Sequence, residues 1–99
     1  MAETIKVDIE LLEQVFPILM RHLREFGDAE VLLDRDYYWS IPADQIYDVE
    51  KPPANLDIGQ ISECLDWLSA LADDPERALT YHLVWLGDVL RAVGQAKVR

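Results

Sequence analysis

The sequence predicts an α+β domain dominated by helices, with three main helices packed against a short β-hairpin. Three observations carry this. Apolar residues recur at three- and four-residue spacing through three long segments. A short run rich in β-formers, Tyr37-Tyr38-Trp39-Ser40-Ile41, lies between the first two. The chain has 99 residues, 51% of them hydrophobic, which suits a single domain over residues 1–99 with a core of its own.

The first predicted helix spans residues 7–26. Asp8 can cap its start, and Gly27 can end it in the left-handed conformation. Leu12, Val15, Phe16, Leu19, Leu23 and Phe26 share one face. Pro17 falls inside this pattern, removes one backbone donor, and is expected to kink or split the helix. Residues 30–41 read as a hairpin, with Val31-Leu32-Leu33 and the Tyr37–Ile41 run separated by Asp34-Arg35-Asp36. Alternation puts Tyr37, Trp39 and Ile41 on one side, and Tyr38 and Ser40 on the other. An isolated hairpin is marginal, so one side must be buried. Trp39 is the expected core residue and Tyr38 the expected exposed contact, since a tyrosine tolerates water at its hydroxyl end.

Residues 42–56 look irregular, with a helical turn after Pro42 and an extended Lys51-Pro52-Pro53. The second helix is expected over residues 57–72, opened by a capping box of Asp57 and Gln60 and striped by Ile61, Cys64, Leu65, Leu68 and Leu71. Asp74 and Pro75 then start the third helix. Its row is Leu79, Leu83, Leu86, Leu90 and Val93, flanked by Trp85 and Val89. Arg91 complements its dipole and Gly94 ends it. Gly87 inside it suggests close helix approach beneath Trp67 or Trp85. The expected core is Leu12, Val15, Leu19, Leu23, Trp39, Ile61, Leu65, Leu68, Leu83, Leu86 and Leu90.

Charge is the most uneven property of the chain. Between Asp28 and Asp74 stand twelve acids against two bases, Arg35 and Lys51, which accounts for the whole formal charge of −10. The two ends are balanced. A solvated, solubilising surface would explain an acidic run, but such surfaces usually intersperse both signs. The alternative is an acidic, aromatic docking face for a basic protein. The residues expected to meet that partner are Asp34, Asp36, Tyr38, Asp44, Tyr47 and Asp48. The same charge disfavours nucleic acid and anionic membranes as partners.

Chemistry-bearing motifs are sparse. Asp34-Arg35-Asp36 lacks the glycine and terminal glutamate of a calcium loop, and His22 and His82 form no metal-binding pair. His82 reads as a hydrogen-bonded structural histidine. Cys64 sits on an apolar stripe, where it acts as a small hydrophobe rather than a nucleophile. No serine sits in a nucleophile elbow, and the glycines form no phosphate loop. No catalytic residue, metal or cofactor is expected. A lone cysteine, no signal-peptide pattern and no long apolar run make a cytoplasmic protein the expectation.

The segments Asp36-Tyr37-Tyr38-Trp39-Ser40-Ile41-Pro42, Leu56-Asp57-Ile58-Gly59-Gln60-Ile61 and Trp85-Leu86 with Leu90-Arg91-Ala92-Val93-Gly94 resemble a family of small uncharacterised bacterial proteins. That family has a Tyr-Tyr-Trp-x-Ile-Pro segment followed by an Ile-Gly-Gln-Leu helix start. The resemblance covers roughly residues 30–95, with Ile61 in place of the leucine. It implies no catalytic residues. Small acidic proteins of this size include immunity partners of bacterial toxins, an analogy of size and charge. The expected function is therefore a non-enzymatic binding protein that captures a basic protein, with toxin neutralisation as one form of it. The alternatives are a small enzyme or ligand binder using the Tyr and Trp rings and carboxylates, or a structural homodimer through the third helix.

Overall fold

Asp8 starts the first element of the computed structural model, which describes residues 4–25 and 29–97. Its carboxylate accepts from the Glu10 N–H at 3.0 Å and caps helix α1 (Ile9–Arg24), the first predicted helix. Pro17 does not split α1. The carbonyl that Pro17 frees lies on an exposed turn, where water can satisfy it. Phe26 and the predicted cap Gly27 lie outside the described residues. The chain divides into two compact units, Met1–Val31 and Leu32–Arg99. Among the described residues the first unit holds one helix, so its apolar stripe has no second described element within that unit to pack on. The expected core positions Leu12, Val15 and Leu19 are exposed, and Leu23 is half-buried.

The second unit carries the rest of the fold: β1 (Tyr37–Ser40), α2 (Ala43–Ile46), β2 (Asp57–Gln60), α3 (Ile61–Asp73), a 3₁₀ turn over Pro75–Arg77, and α4 (Tyr81–Lys97). The described residues are thus predominantly helical, with one two-stranded antiparallel sheet. None of their helices is long and apolar enough to cross a membrane.

The sheet corrects the predicted pairing. β1 pairs with β2, in the register Tyr37 with Gln60, Tyr38 with Gly59, Trp39 with Ile58 and Ser40 with Asp57. Val31-Leu32-Leu33 forms no strand, and residues 57–60, expected as the first turn of a helix, are extended instead. The physical reason is a cap supplied from elsewhere in the chain. Asp36, just before β1, accepts from the Ser62 N–H at 2.7 Å, the Ser62 hydroxyl at 2.8 Å and the Gln60 side-chain amide at 2.9 Å. Its carbonyl also accepts from the Ile61 N–H at 2.8 Å. One residue thus satisfies two backbone donors at the start of α3 and places a negative charge at the positive end of that helix. Asp57 is not needed as a cap, and β2 is free to pair.

The core is Ile61, Cys64 and Val89, with Leu33, Tyr38, Leu68, Trp85, Ala92 and Val93 packed around it. Ile61 and Leu68 were expected there, and Cys64 is 2% exposed on the predicted stripe. Trp39, Leu65 and Leu83 are exposed, against expectation. The inward stripe of α4 runs through Trp85, Val89, Ala92 and Val93; it keeps Val93 of the expected row and is otherwise shifted to the flanking residues, with Leu86 and Leu90 half-buried beside it. Apolar residues surround much of this helix, so two rows compete, and the aromatic contacts select one. Trp85 lies 4.2 Å from Trp67, 5.1 Å from Tyr81 and 5.0 Å from His82, centroid to centroid.

The start of α4 also differs from expectation. Asp74 and Pro75 open only the 3₁₀ turn, tied by an Arg77–Asp74 ion pair at 3.1 Å. The helix begins at Tyr81, and the Leu79 N–H donates to Nδ1 of His82 at 3.0 Å. Gly94 lies within α4, which continues to Lys97. Gly87 is exposed, with open space among the described residues where a side chain would be, so the expected close approach beneath Trp67 or Trp85 is not found there.

Candidate functional site

β1 divides the aromatic run between two environments. Tyr38 points inward. Its hydroxyl donates to Oδ2 of Asp88 at 2.9 Å and lies 3.6 Å from Sγ of Cys64. Its ring lies across Gly59, its partner in the register, where a Cβ would overlap it. A side chain at position 59 and the Tyr38 ring cannot both fit without movement, so the glycine is required here by close approach. Burial, then the contacts with Cys64 and with the Asp88 carboxylate, push the Tyr38 phenol well above the ordinary tyrosine range. A phenol held protonated in this way is a hydrogen-bond donor and not a base.

Tyr37 and Trp39 point the other way. Each is 68% exposed, and Ile58, directly across from Trp39, is 66% exposed. The expected roles of the two faces are therefore reversed. Alternation separates the residues correctly but does not say which set is inside. The decision lies with Gly59, which leaves room for a ring only on the Tyr38 side.

An open cleft of about 360 Å³ runs beside β1. Leu33, Asp34, Arg35, Tyr37, Tyr38 and Trp39 form one wall. Ile61 from α3 and Asp88, Arg91, Ala92, Gln95 and Ala96 from α4 form the other. No β2 residue contributes, so the cleft follows the free edge of β1 and meets side chains from both of its faces. Its formal charges cancel, two aspartates against two arginines, within a chain of net charge −10.

The six residues expected to meet a partner do not form one cluster. Asp34 and Tyr38 line the cleft. Asp36 is committed to capping α3, and its bonds to the Ser62 backbone, the Ser62 hydroxyl and Gln60 hold its carboxyl below the usual carboxylate range. Asp44, Tyr47 and Asp48 are exposed on the segment between the strands. That segment is fastened by Oε1 of Gln45, which accepts from the N–H groups of Ala54 at 2.8 Å and Asn55 at 3.1 Å. Asp48 accepts from the Glu50 N–H at 3.2 Å. Among the described residues the only ion pair is Arg77–Asp74, so Asp34, Asp44, Asp48, Glu50 and Asp57 have no cation within 4.0 Å.

Sequence reasoning missed Tyr37, Trp39 and Ile58 as a surface, and Asp88, Arg91 and Gln95 as a cleft wall. A signal for the wall existed. Positions 88, 91, 92 and 95 share one helical face. Arg91 was read instead as a helix-end residue, yet α4 continues well past it. Among the described residues no group of three His, Cys, Asp or Glu side chains is placed to hold a metal ion. No known protein family, curated protein or solved structure matches the chain.

Proposed function

We propose that the protein is a non-enzymatic binding module that captures a basic protein on the outer face of its hairpin. The observation that carries this reading is the exposed triad Tyr37, Trp39 and Ile58, on a segment whose surrounding acids have no cationic partner among the described residues. Aromatic residues are enriched at interfaces, and Tyr and Trp dominate their energetics. The unpaired acids supply the complementary field that would steer a cationic partner and set its orientation. Covering a cationic toxin is one role that this chemistry would serve.

A pull-down from the native host with the wild-type chain and a Trp39→Ala variant tests it. The expected result is a basic protein retained by the wild type and lost by the variant. An acidic partner, or equal retention by both, would overturn the reading.

A structural homodimer is a second reading, favoured by one observation. Leu83 is 70% exposed and Leu79, just before α4, is 63% exposed, at the start of a leucine row whose later members are half-buried. Leu83→Glu should abolish such a dimer in sedimentation without disturbing the core. Trp85 is unsuitable for this test, because it is packed on Trp67, Tyr81 and His82.

A further inference from the structure

The cleft between β1 and α4 is lined by two arginines for which no other described residue supplies a partner. Arg35 and Arg91 both line it, and neither makes an ion pair or a hydrogen bond among the described residues. Two carboxylates are close in sequence. Asp34 precedes Arg35, and Asp88 lies three residues before Arg91 on α4, a spacing at which an acid and a base commonly pair. Asp88 is diverted, since its Oδ2 accepts the Tyr38 hydroxyl at 2.9 Å. In a chain with 19 acids and 9 basic side chains, two arginines in one concavity with no ion pair or hydrogen bond among the described residues leave guanidinium N–H donors open to an anion.

The rest of the lining limits what that anion can be. Leu33, Ile61, Ala92 and Ala96 are apolar, and Tyr37 and Trp39 add ring surfaces. Such walls suit a flat hydrocarbon body, with aromatic stacking as a further contribution. Gln95 can donate or accept one more hydrogen bond. The volume of about 360 Å³ is at the small end for ligand sites and fits a molecule of one or two rings. Asp34 and Asp88 also face this space and cancel the arginines before any ligand arrives. With a net formal charge of zero, the cleft would carry −2 with a doubly charged phosphate bound and only −1 with a single carboxylate, which is the smaller cost. The planar fork of arginine matches a carboxylate in two-point geometry.

We propose that this cleft is a binding site for a small aromatic monocarboxylate, its carboxylate held by Arg35 and Arg91 and its ring lying against Tyr37 and Trp39. This goes beyond the capture of a basic protein and does not rest on it, since the groups that select the ligand are cations.

The test is a titration of the full chain, followed by ¹H–¹⁵N NMR, with indole-3-acetate and with the neutral indole-3-acetamide. The expected result is shifts confined to residues 33–39 and 88–96 and to the Trp39 indole N–H, with the carboxylate binding about tenfold or more tighter than the amide. Arg35→Gln and Arg91→Gln should each weaken the carboxylate about tenfold and leave the amide unchanged. Arg91→Lys, which keeps the charge but loses the fork, should fall between. Arg77→Gln, outside the cleft, should have no effect. Both cleft arginines are exposed, so the variants should fold, and their unperturbed spectra would show it. Four results would each overturn the proposal. These are no shift up to about 10 mM, far weaker than a working site; equal binding of acid and amide; binding indifferent to both arginines; or shifts mapping elsewhere.

Discussion

Tyr37 and Tyr38 are the same residue type, adjacent in one strand, and do opposite things. Tyr38 reaches into the unit, crosses Gly59 and bonds to Asp88. Tyr37 stands in solvent, with only a 3.4 Å contact from the Gln60 amide to its hydroxyl. The difference shows how a two-stranded sheet, marginal by itself, acquires an inside. One glycine on the partner strand admits a ring, one carboxylate receives its hydroxyl, and the face is fixed. Everything on the opposite face is then free of structural duty. The inner face holds the fold, and we propose that the outer face with its acidic surroundings meets the partner.

The comparison is broken most severely at Gly59. Gly59→Ala forces a methyl into the Tyr38 ring, and should cost about 1–3 kcal/mol in chemical denaturation. The neighbouring outer-face change Ile58→Ala should stay within about 0.5 kcal/mol. A double-mutant cycle sharpens the point. In a Tyr38→Leu background the cost of Gly59→Ala should shrink, because the clash partner is gone. Equal costs in the two backgrounds would show that Gly59 is needed for another reason.

A smaller effect separates the two tyrosines directly. Tyr38→Phe removes the donor to Asp88 and should cost about 1–2 kcal/mol, while Tyr37→Phe should change almost nothing. Alkaline pH gives the same contrast. The Tyr38 pKa is raised in the folded state, so the stability it adds is complete below the ordinary phenol value of about 10 and lost as pH rises beyond it. Tyr38→Phe should remove that part of the alkaline loss, and Tyr37→Phe should not.

The third test concerns Asp36, which faces neither environment but anchors the hairpin to α3. Its pKa is lowered on folding, so its contribution is present above the usual carboxylate range and lost as pH falls through the lowered value. Asp36→Asn should weaken the protein at neutral pH and flatten that part of its acid transition. Thermal melts across an acid series would read it, and an unchanged acid limb would mean that the cap does not contribute. For the same reason Asp36 is a poor site for charge reversal. Asp34, Asp44 and Asp48 are the acids to reverse.

Much of this was legible locally. Asp8 as a cap and the apolar stripe that puts Ile61 and Cys64 inside both depend on residues within a turn of one another. What was not legible depends on partners distant in sequence. Asp57 and Gln60 carry a genuine capping-box signal, and only the arrival of Asp36 from more than twenty positions away makes it redundant. Tyr38 and Trp39 alternate as a strand requires, but the inward set is chosen by Gly59, whose position opposite Tyr38 is known only once the register is known. In α4, apolar residues over much of the circumference offer two defensible stripes, and the ring contacts of Trp85 decide between them. The outer face was missed for the same reason that the inner one was.

The most direct test of the central claim is the association rate of the captured partner with the Tyr37→Ala/Trp39→Ala double variant, beside the wild type and the Asp34→Lys/Asp44→Lys/Asp48→Lys variant, across a salt series. Screening shortens from ~10 Å at 0.1 M to ~3 Å at 1 M. The wild-type on-rate should fall with salt, the charge-reversed protein should associate slowly at low salt and lose most of its salt dependence, and the double variant should fold normally but release the partner much faster. An on-rate indifferent to salt and to the reversals, with release unchanged in the double variant, would contradict that claim.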